Sequence, residues 1–470
     1  MSDLTTTDAT ASDPTEGDGP HPLALAIVFS VQEPERAGEI AWLQGKERVL
    51  GRDGDLEFLR HRPRERTGTG PMRDHAVSRR QLVLRPLSPQ RVTVERVGRL
   101  TLRVNGVPVD EAELRAGDVL ELGERAVLVV HERPEILDGV RPRHAFGEAD
   151  PQGFVGEGAA AWALRARVTF VARRNAHVMV HGESGTGKEL VARAVHMLST
   201  RSRAPLVSRS AATIPESLAD AELFGNLVNY PNPGMPMRPG LVGEADGGVL
   251  FLDEFGELPI ELQARLLRVL DAGEYTRLGE AKPRRADLRL VAATNRPLGD
   301  LKHDVLARIP LRVSTPSLAA RREDVGLLIV HLLRRIARED AEIAHDLFPE
   351  GDPAQVPRVT TRLVATLTAH PYRTHLRELT ALLWSAIGEH APGRALDVFS
   401  GYSAMLDAPA ERPIGAVDPS ALTAEVVQAC LDRNGGRQEL AWRELGLSSR
   451  HVLGRLVRKY NLRVRGRGGG

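Results

Sequence analysis

The stretch His177–Leu190, HVMVHGESGTGKEL, constrains this chain more than any other. Val178, Met179, Val180 and His181 read as a buried strand. Gly182, Gly185 and Gly187 interrupt it, Lys188 follows, and Glu189 to Val195 has helical periodicity. Strand, glycine turn, lysine and helix is the context of a phosphate-binding loop. The glycines let the backbone bend until its N–H groups converge on one point. The helix that follows adds positive potential there, and Lys188 reaches the terminal phosphates as a point charge. Gly182, Glu183, Ser184, Gly185, Thr186, Gly187, Lys188 and Glu189 are the candidate nucleotide-binding residues. Such loops usually close on Ser or Thr; here Glu189 stands in that place.

Two more strands end in polar chemistry. Val249 to Leu252 is apolar and runs into Asp253 and Glu254. Carboxylates at the end of a buried strand are costly unless a cation or a reaction fixes them. Asp253 is expected to hold magnesium, and Glu254 to polarise the attacking water. Leu288 to Thr294 is the third strand, and Asn295 at its end suits a γ-phosphate sensor. Arg308 is a candidate arginine finger, acting on the nucleotide of a neighbouring subunit. Arg377, at a helix start, is expected to point back at the nucleotide from a small helical lid. ATP and magnesium are the expected ligands.

At 470 residues the chain is too long for one core, so several domains are expected. A net charge of +1 means that any nucleic-acid surface must be local. The single cysteine, Cys430, excludes an internal disulfide framework and sits in an apolar helical pattern that reads as core. No run of 18 apolar residues occurs, so no membrane span is expected. Residues 1–22 are polar and acidic, resemble no signal peptide, and read as disordered. A cytoplasmic location follows as an expectation.

Residues 23–132 hold short β-like runs separated by turns, from Leu25–Phe29 to Ala126–Val130, which implies an all-β sandwich. Gly51-Arg52, Ser78-Arg79-Arg80-Gln81 and Asn105-Gly106 fall between strands. This set resembles the forkhead-associated (FHA) domain, whose members bind phosphothreonine peptides. The resemblance implies that Arg52 and Ser78 hold the phosphate, Arg79 assists, and Asn105 fixes the peptide backbone. Family members usually carry a fold-supporting histidine where Gln81 stands. The basic insert from Arg60 to Arg73 is expected to be a mobile loop flanking the phosphate site. Residues 133–152 read as a linker.

Residues 153–395 alternate strand and helix patterns, as in an α/β domain with a mainly parallel sheet. With Ala221-Glu222-Leu223-Phe224-Gly225, Ala245-Asp246-Gly247-Gly248, Gln263 to Leu270 and Ala292 to Arg296, the loop and strand motifs resemble the AAA+ domain of bacterial enhancer-binding proteins, the activators of sigma-54 RNA polymerase. Glu189 is normal in that family. The resemblance implies an ATP-hydrolysing ring, usually a hexamer and a dimer when inactive, with sites at subunit interfaces. The chain departs from the family pattern in four places. Asn229-Tyr230-Pro231-Asn232-Pro233-Gly234 replaces the GAFTGA loop that grips sigma-54. Ser210 replaces an Asn that switches the acidic residue at 254. Lys302 replaces one of two arginines near the finger. Tyr372-Arg373-Thr374-His375 replaces Trp-Pro-Gly-Asn in the lid motif.

Residues 396–417 read as a second linker. Residues 418–464 hold three short helical patterns with a glycine turn, a helix-turn-helix signature with local basic excess. They resemble the Fis-type DNA-binding domain. Ser449, Arg450, His451 and Arg455 are best placed to meet DNA, and 465–470 form a basic tail. The expected whole is multidomain: an FHA sandwich, an α/β P-loop NTPase with helical lid, and an all-α DNA-binding module. Its expected function is ATP-dependent, DNA-bound transcription regulation of the sigma-54 type. A phosphothreonine protein or Ser/Thr kinase is the expected input. Two alternatives stand beside it: a ring-forming, DNA-bound regulator that no longer engages sigma-54, and a phosphopeptide adaptor using nucleotide only for assembly.

Overall fold

The computed structural model describes residues 21–230, 232–402 and 424–433, together with Leu453, Leu456, Val457, Tyr460 and Leu462. The chain divides into two compact units at Val398 and Phe399.

The N-terminal part of the first unit is a sandwich of twelve strands. They are β1 (Leu23–Ser30), β2 (Ile40–Trp42), β3 (Arg48–Leu50), β4 (Phe58–Arg62), β5 (Glu65–Gly70) and β6 (Leu82–Ser88). Then follow β7 (Arg91–Arg96), β8 (Leu102–Val104), β9 (Val107–Val109), β10 (Glu111–Leu114), β11 (Val119–Leu122) and β12 (Ala126–Glu132). One sheet has the order β5-β4-β2-β1-β12-β11-β8-β9, the other β10-β7-β6-β3. Alternate residues of the long strands fill the space between them: Leu23, Leu25 and Ile27 of β1 meet Leu82, Leu84, Val92 and Val94 of the facing sheet.

The segment 60–73 is not a loop. It contributes β4 and β5, an antiparallel hairpin in which His61 pairs with Arg66 and Arg62 with Glu65. Arg64 makes the turn at φ +61°. The strand is hidden in sequence because arginine, threonine and glycine replace apolar residues. The arginines are used: Arg62 is buried and ion-paired to Glu157 in the following domain.

The α/β part holds β13 (Val178–His181), β14 (Leu206–Ser210), β15 (Val249–Asp253), the short hairpin β16 (Glu274–Tyr275) and β17 (Arg284–Arg285), β18 (Arg289–Thr294) and β19 (Leu311–Ser314). The main sheet has the order β14-β15-β18-β13-β19, all parallel. Its inner strands β13, β15 and β18 are buried on both faces, and β15 and β18 are accordingly near-continuous apolar runs. The helices are α1 (Ala159–Ala172), α2 (Lys188–Met197), α3 (Ala219–Phe224), α4 (Gly240–Glu244), α5 (Ile260–Ala272) and α6 (His303–Arg308). The lid adds α7 (Val325–Glu339), α8 (Ala341–Leu347), α9 (Thr361–Ala369) and α10 (His375–Gly388).

The sandwich rests on the lid. Every residue of β1 is buried. Ala24, Ala26 and Val28 alternate with the core residues, and this second face meets α7 and α9. Small side chains permit the approach: a Cβ on Gly326 of α7 would lie 1.9 Å from the Val28 carbonyl oxygen. Polar contacts frame it, with Arg322 donating to Gly117 O at 2.8 Å and Thr361 Oγ1 to Glu121 Oε1 at 3.0 Å.

The connecting segment 133–152 carries no helix or strand, yet it is pinned. Arg133 is fully buried and donates to Glu157 O (3.0 Å), His61 O (2.8 Å) and His61 Nδ1 (3.1 Å). The backbone N–H groups of Glu157 and Gly158 donate to Asp324 Oδ1 at 2.7 and 2.8 Å. Hairpin, connector and lid thus share one buried charge network. Burial pushes His61 and His131 down to about 3, with Arg133 adding to it, so both imidazoles are neutral. Burial and the neighbouring Glu323 push Asp324 up to about 7.

In the second unit, α11 (Ala424–Arg433) buries Val427, Cys430 and Leu431 against Leu453 and Leu456. Cys430 is a core residue, as its pattern implies. Ser449, Arg450, His451 and Arg455 lie outside the described residues. Among the described residues no helix is long and apolar enough to cross a membrane.

Candidate functional site

The carboxyl ends of β13, β15 and β18 meet at one crevice, the usual ligand position of an open parallel sheet. The loop after β13 turns through Gly182, Gly185 (φ +81°) and Gly187 (φ +95°) before α2 begins at Lys188. Side chains are excluded from it. A Cβ on Gly182 would meet Thr315 Oγ1 at 2.0 Å, and one on Gly185 would meet Thr374 O at the same distance. At Gly187, by contrast, a Cβ would meet nothing within 4 Å, so the cradle is open on the side of the helix start. Thr186 points away, its hydroxyl shared with Glu183 O and Thr315 Oγ1. Glu189 pairs with Arg193 on the helix surface.

Lys188 is 9% exposed, and its ammonium donates to Gly182 O and Glu183 O at 2.8 and 2.9 Å. Burial lowers its pKa, Asp253 and Glu254 oppose that, and Arg377 adds to it. A poorly solvated cation on a ring of backbone N–H groups fits a polyphosphate.

The acid pair is set by sheet register. Ser210 of β14 lies opposite Asp253 of β15. From there Ser210 Oγ donates to Glu254 Oε2 at 2.8 Å, so the serine does reach the acid despite its shorter side chain. Glu254 adopts φ +52°, uncommon for a residue with a side chain, and its N–H donates to Asp253 Oδ1 at 2.9 Å. Neither carboxylate caps a helix; α5 starts after Pro259 without a side-chain cap. Asn295 follows β18 and is exposed, while Thr294 is buried with its carbonyl accepting from Gly182 N.

The lid closes on the loop. Arg377 donates to Ser184 Oγ at 2.9 Å, and Leu376 N to Gly185 O at 3.1 Å. His375, at φ +49°, accepts from Leu318 N through Nδ1, and its Nε2 lies 3.1 Å from Glu183 Oε2. Sequence reasoning passed over this His375–Glu183 contact; the one signal was a histidine where the lid motif has Asn, another residue that tolerates positive φ. Arg308 sits apart, at the end of α6. It is partly exposed and tied to Asp271 by two 2.7 Å contacts from Nε.

The loop that departs from GAFTGA is anchored by Asn226, which is fully buried. Its Nδ2 lies within hydrogen-bond reach of Leu227 O, Tyr230 O and Pro236 O. Val228, Tyr230 and Met237 are exposed around it. Pro231 lies outside the described residues.

On the sandwich, two candidate phosphate loops are zipped together. Arg52 N donates to Ser78 O and Asp53 N to Arg79 O, both at 3.1 Å, and Arg52 Nε donates to Val77 O at 2.8 Å. Gly51 is required there, since a Cβ would fall 2.2 Å from Arg79 O. Arg79 is exposed, 3.5 Å from Asp53. Ser78 Oγ accepts from Arg99 N at 3.0 Å. Gln81 is buried, and its amide bonds Ser78 N, Leu100 N and Leu100 O, so it braces the loops from inside. Asn105 sits on the turn between β8 and β9 at φ +50°, its amide held by Asp118 and Val119 N.

Fold and loop define a P-loop NTPase of the AAA+ class with a helical lid, preceded by a two-sheet β-sandwich. Residues 154–310 match the family model described as the sigma-54 interaction domain. Transcriptional regulatory protein ZraR of Salmonella typhimurium is 35% identical over 323 residues, spanning 65% of this chain and 68% of that protein. The chain therefore belongs to the sigma-54 interaction family of transcriptional regulators. A crystal structure of NtrX from Brucella abortus in complex with ATP is 29% identical and covers 66% of this chain and 69% of its own, at a TM-score of 0.46. An FHA structure from a study of phosphothreonine-dependent interactions is 24% identical and covers 24% of this chain and 97% of its own, at a TM-score of 0.18.

Proposed function

We propose that the chain is an ATP-hydrolysing, DNA-bound activator of sigma-54 RNA polymerase whose input is a phosphothreonine peptide at the sandwich. The observation that carries the reading is the meeting of Lys188, Asp253, Glu254 and the lid's Arg377 around one glycine loop. ATP is the substrate. Its phosphates lie on the N–H groups of residues 183–188, where Lys188 exchanges its loop carbonyls for phosphate oxygens. The carboxylate oxygens suit a hard cation, and Asp253 would be the residue that holds magnesium. Magnesium supplies charge neutralisation across the phosphates when bound.

Glu254 orients the attacking water once it leaves Ser210, so Ser210 holds the acid in reserve until nucleotide arrives. Arg377 reads the nucleotide from the lid, and Asn295 the terminal phosphate. Arg308 acts on the neighbour's site in a ring, after exchanging Asp271 for phosphoryl oxygens. Arg52, Ser78 and Arg79 take the phosphothreonine, an arginine fork and a hydroxyl matching a dianion. The C-terminal unit brings DNA. The test is open-complex formation on a sigma-54 promoter with purified full-length chain, ATP and magnesium.

A second reading rests on one feature, the proline-rich loop 229–234 without the family's threonine. Here the ring turns over ATP without engaging sigma-54. Normal ATP turnover with no open complex under any input supports that reading instead.

A further inference from the structure

A large cavity lies away from the glycine loop, between the connecting segment 139–154 and α1, with a volume near 970 Å³. That is the size of a site for a whole small ligand, well beyond a single inorganic ion. Five arginines line it, Arg141, Arg143, Arg165, Arg173 and Arg174, against one carboxylate, Asp150. Asp150 is fully used: it accepts from Arg165 Nε at 2.7 Å and from Gln152 N and Phe154 N at 2.9 and 3.0 Å. Arg141 lies 3.6 Å from Glu65 outside the lining, so the surplus positive charge rests on Arg143, Arg173 and Arg174.

Arg143 and Arg173 are exposed, and their guanidinium groups make no hydrogen bond or ion pair with any of the described residues. Two buried polar atoms in the same lining also lack partners. The indole N–H of Trp162, a residue only 3% exposed, has no acceptor, and neither does His144 Nε2 have a partner. The two rings stack at 5.8 Å, and Arg165 lies 4.6 Å over the indole, so the tryptophan is held in place. A buried N–H without an acceptor carries a desolvation cost with no return, and a ligand acceptor removes it. Phe170, 41% exposed with Arg174 against its ring, offers an apolar, planar surface beside the charge. Positive charge, an unmet donor and aromatic surface in one cavity match a phosphorylated nucleotide better than a bare anion or an apolar molecule.

We propose that this cavity is a second nucleotide site, separate from the glycine loop. Arg143 and Arg173 take the phosphates, and the Trp162 indole N–H takes an acceptor on the base or sugar. One wall belongs to the connector and the other to α1, so an occupant bridges the two and favours the docked sandwich.

The test uses the full chain carrying Lys188→Ala, which silences the glycine loop. ADP, GDP and inorganic pyrophosphate are titrated by calorimetry. The expected result is binding of ADP or GDP, at least tenfold tighter than pyrophosphate. Adding Arg143→Ala with Arg173→Ala weakens it tenfold or more, and adding Trp162→Phe weakens it several-fold. In the chain that keeps Lys188, the same arginine pair leaves ATP turnover unchanged. Binding of neither nucleotide overturns the proposal. So does binding indifferent to the arginine pair, which marks residual affinity at the glycine loop. Pyrophosphate binding as tightly as the nucleotides reduces the cavity to an anion site and also overturns it. Both arginines are exposed, so their replacement does not disturb the core.

Discussion

Lys188 and His131 are both buried titratable residues, but they answer to different partners. Lys188 donates only to carbonyls of its own loop, bonds that phosphate oxygens replace with charge-assisted ones. Lys188→Ala is expected to weaken ATP binding by about a hundredfold, since charge-assisted bonds contribute roughly 1.5–3 kcal/mol each; equilibrium titration measures it. His131 has no partner for Nε2, and its pKa is near 3 in the fold. An open chain titrates it near 6.5. Between those values the open chain binds more protons, so its contribution is full above about pH 6.5 and is lost as pH falls toward 3. His61 follows the same sign. Asp324, raised to about 7, has the opposite one: its contribution is full below about pH 3.8 and lost as pH rises through 7. His131→Leu removes one term only. Its melting temperature is expected to gain on the parent as pH drops from 7 to 5; parallel pH profiles of the two proteins contradict the assignment.

At the scale of elements, the glycine loop and the acid-tipped strand were legible because their chemistry is coded by spacing along a few residues. Gln81 stood out only as a departure from a fold-supporting histidine; that its amide braces the loops emerges from its bonds to Ser78 and Leu100. Two features were not read. The β4–β5 hairpin lacks apolar alternation, since Arg60 and Arg62 do their packing through guanidinium groups against Phe146. The docking of the sandwich on the lid had a signal in β1, LALAIVFS, which is apolar on both faces and so cannot leave either one in water. Which element covers the second face depends on contacts far apart in the chain, such as Val28 with Gly326, and spacing says nothing of those. Gly326→Ala forces that contact apart. It is expected to cost about 1–3 kcal/mol, the usual range for overpacking, seen as a lower melting temperature and faster proteolysis within 133–152. Unchanged melting and cleavage contradict the close packing of β1 on α7.

At the scale of the whole molecule, the sandwich and the nucleotide-binding part share a boundary. The sandwich contacts α7 and α9 of the lid, and the lid in turn touches the glycine loop through His375 and Arg377. A peptide at the proposed Arg52 and Ser78 site would therefore bias the lid without touching nucleotide. Arg52→Ala is expected to abolish phosphothreonine-peptide binding, read by fluorescence anisotropy, while basal ATP turnover stays within about twofold, a surface change away from the site. In the proposed ring each glycine-loop site needs an arginine from its neighbour. Mixing two silent proteins tests it most directly. Glu254→Gln keeps its finger and loses its own chemistry; Arg308→Ala keeps its acid and loses the finger. Each alone is expected to bind ATP without turnover, and their mixture to regain part of it, because some sites then pair an intact acid with an intact finger. Full turnover by Arg308→Ala alone, or a mixture that stays as silent as its components, contradicts it.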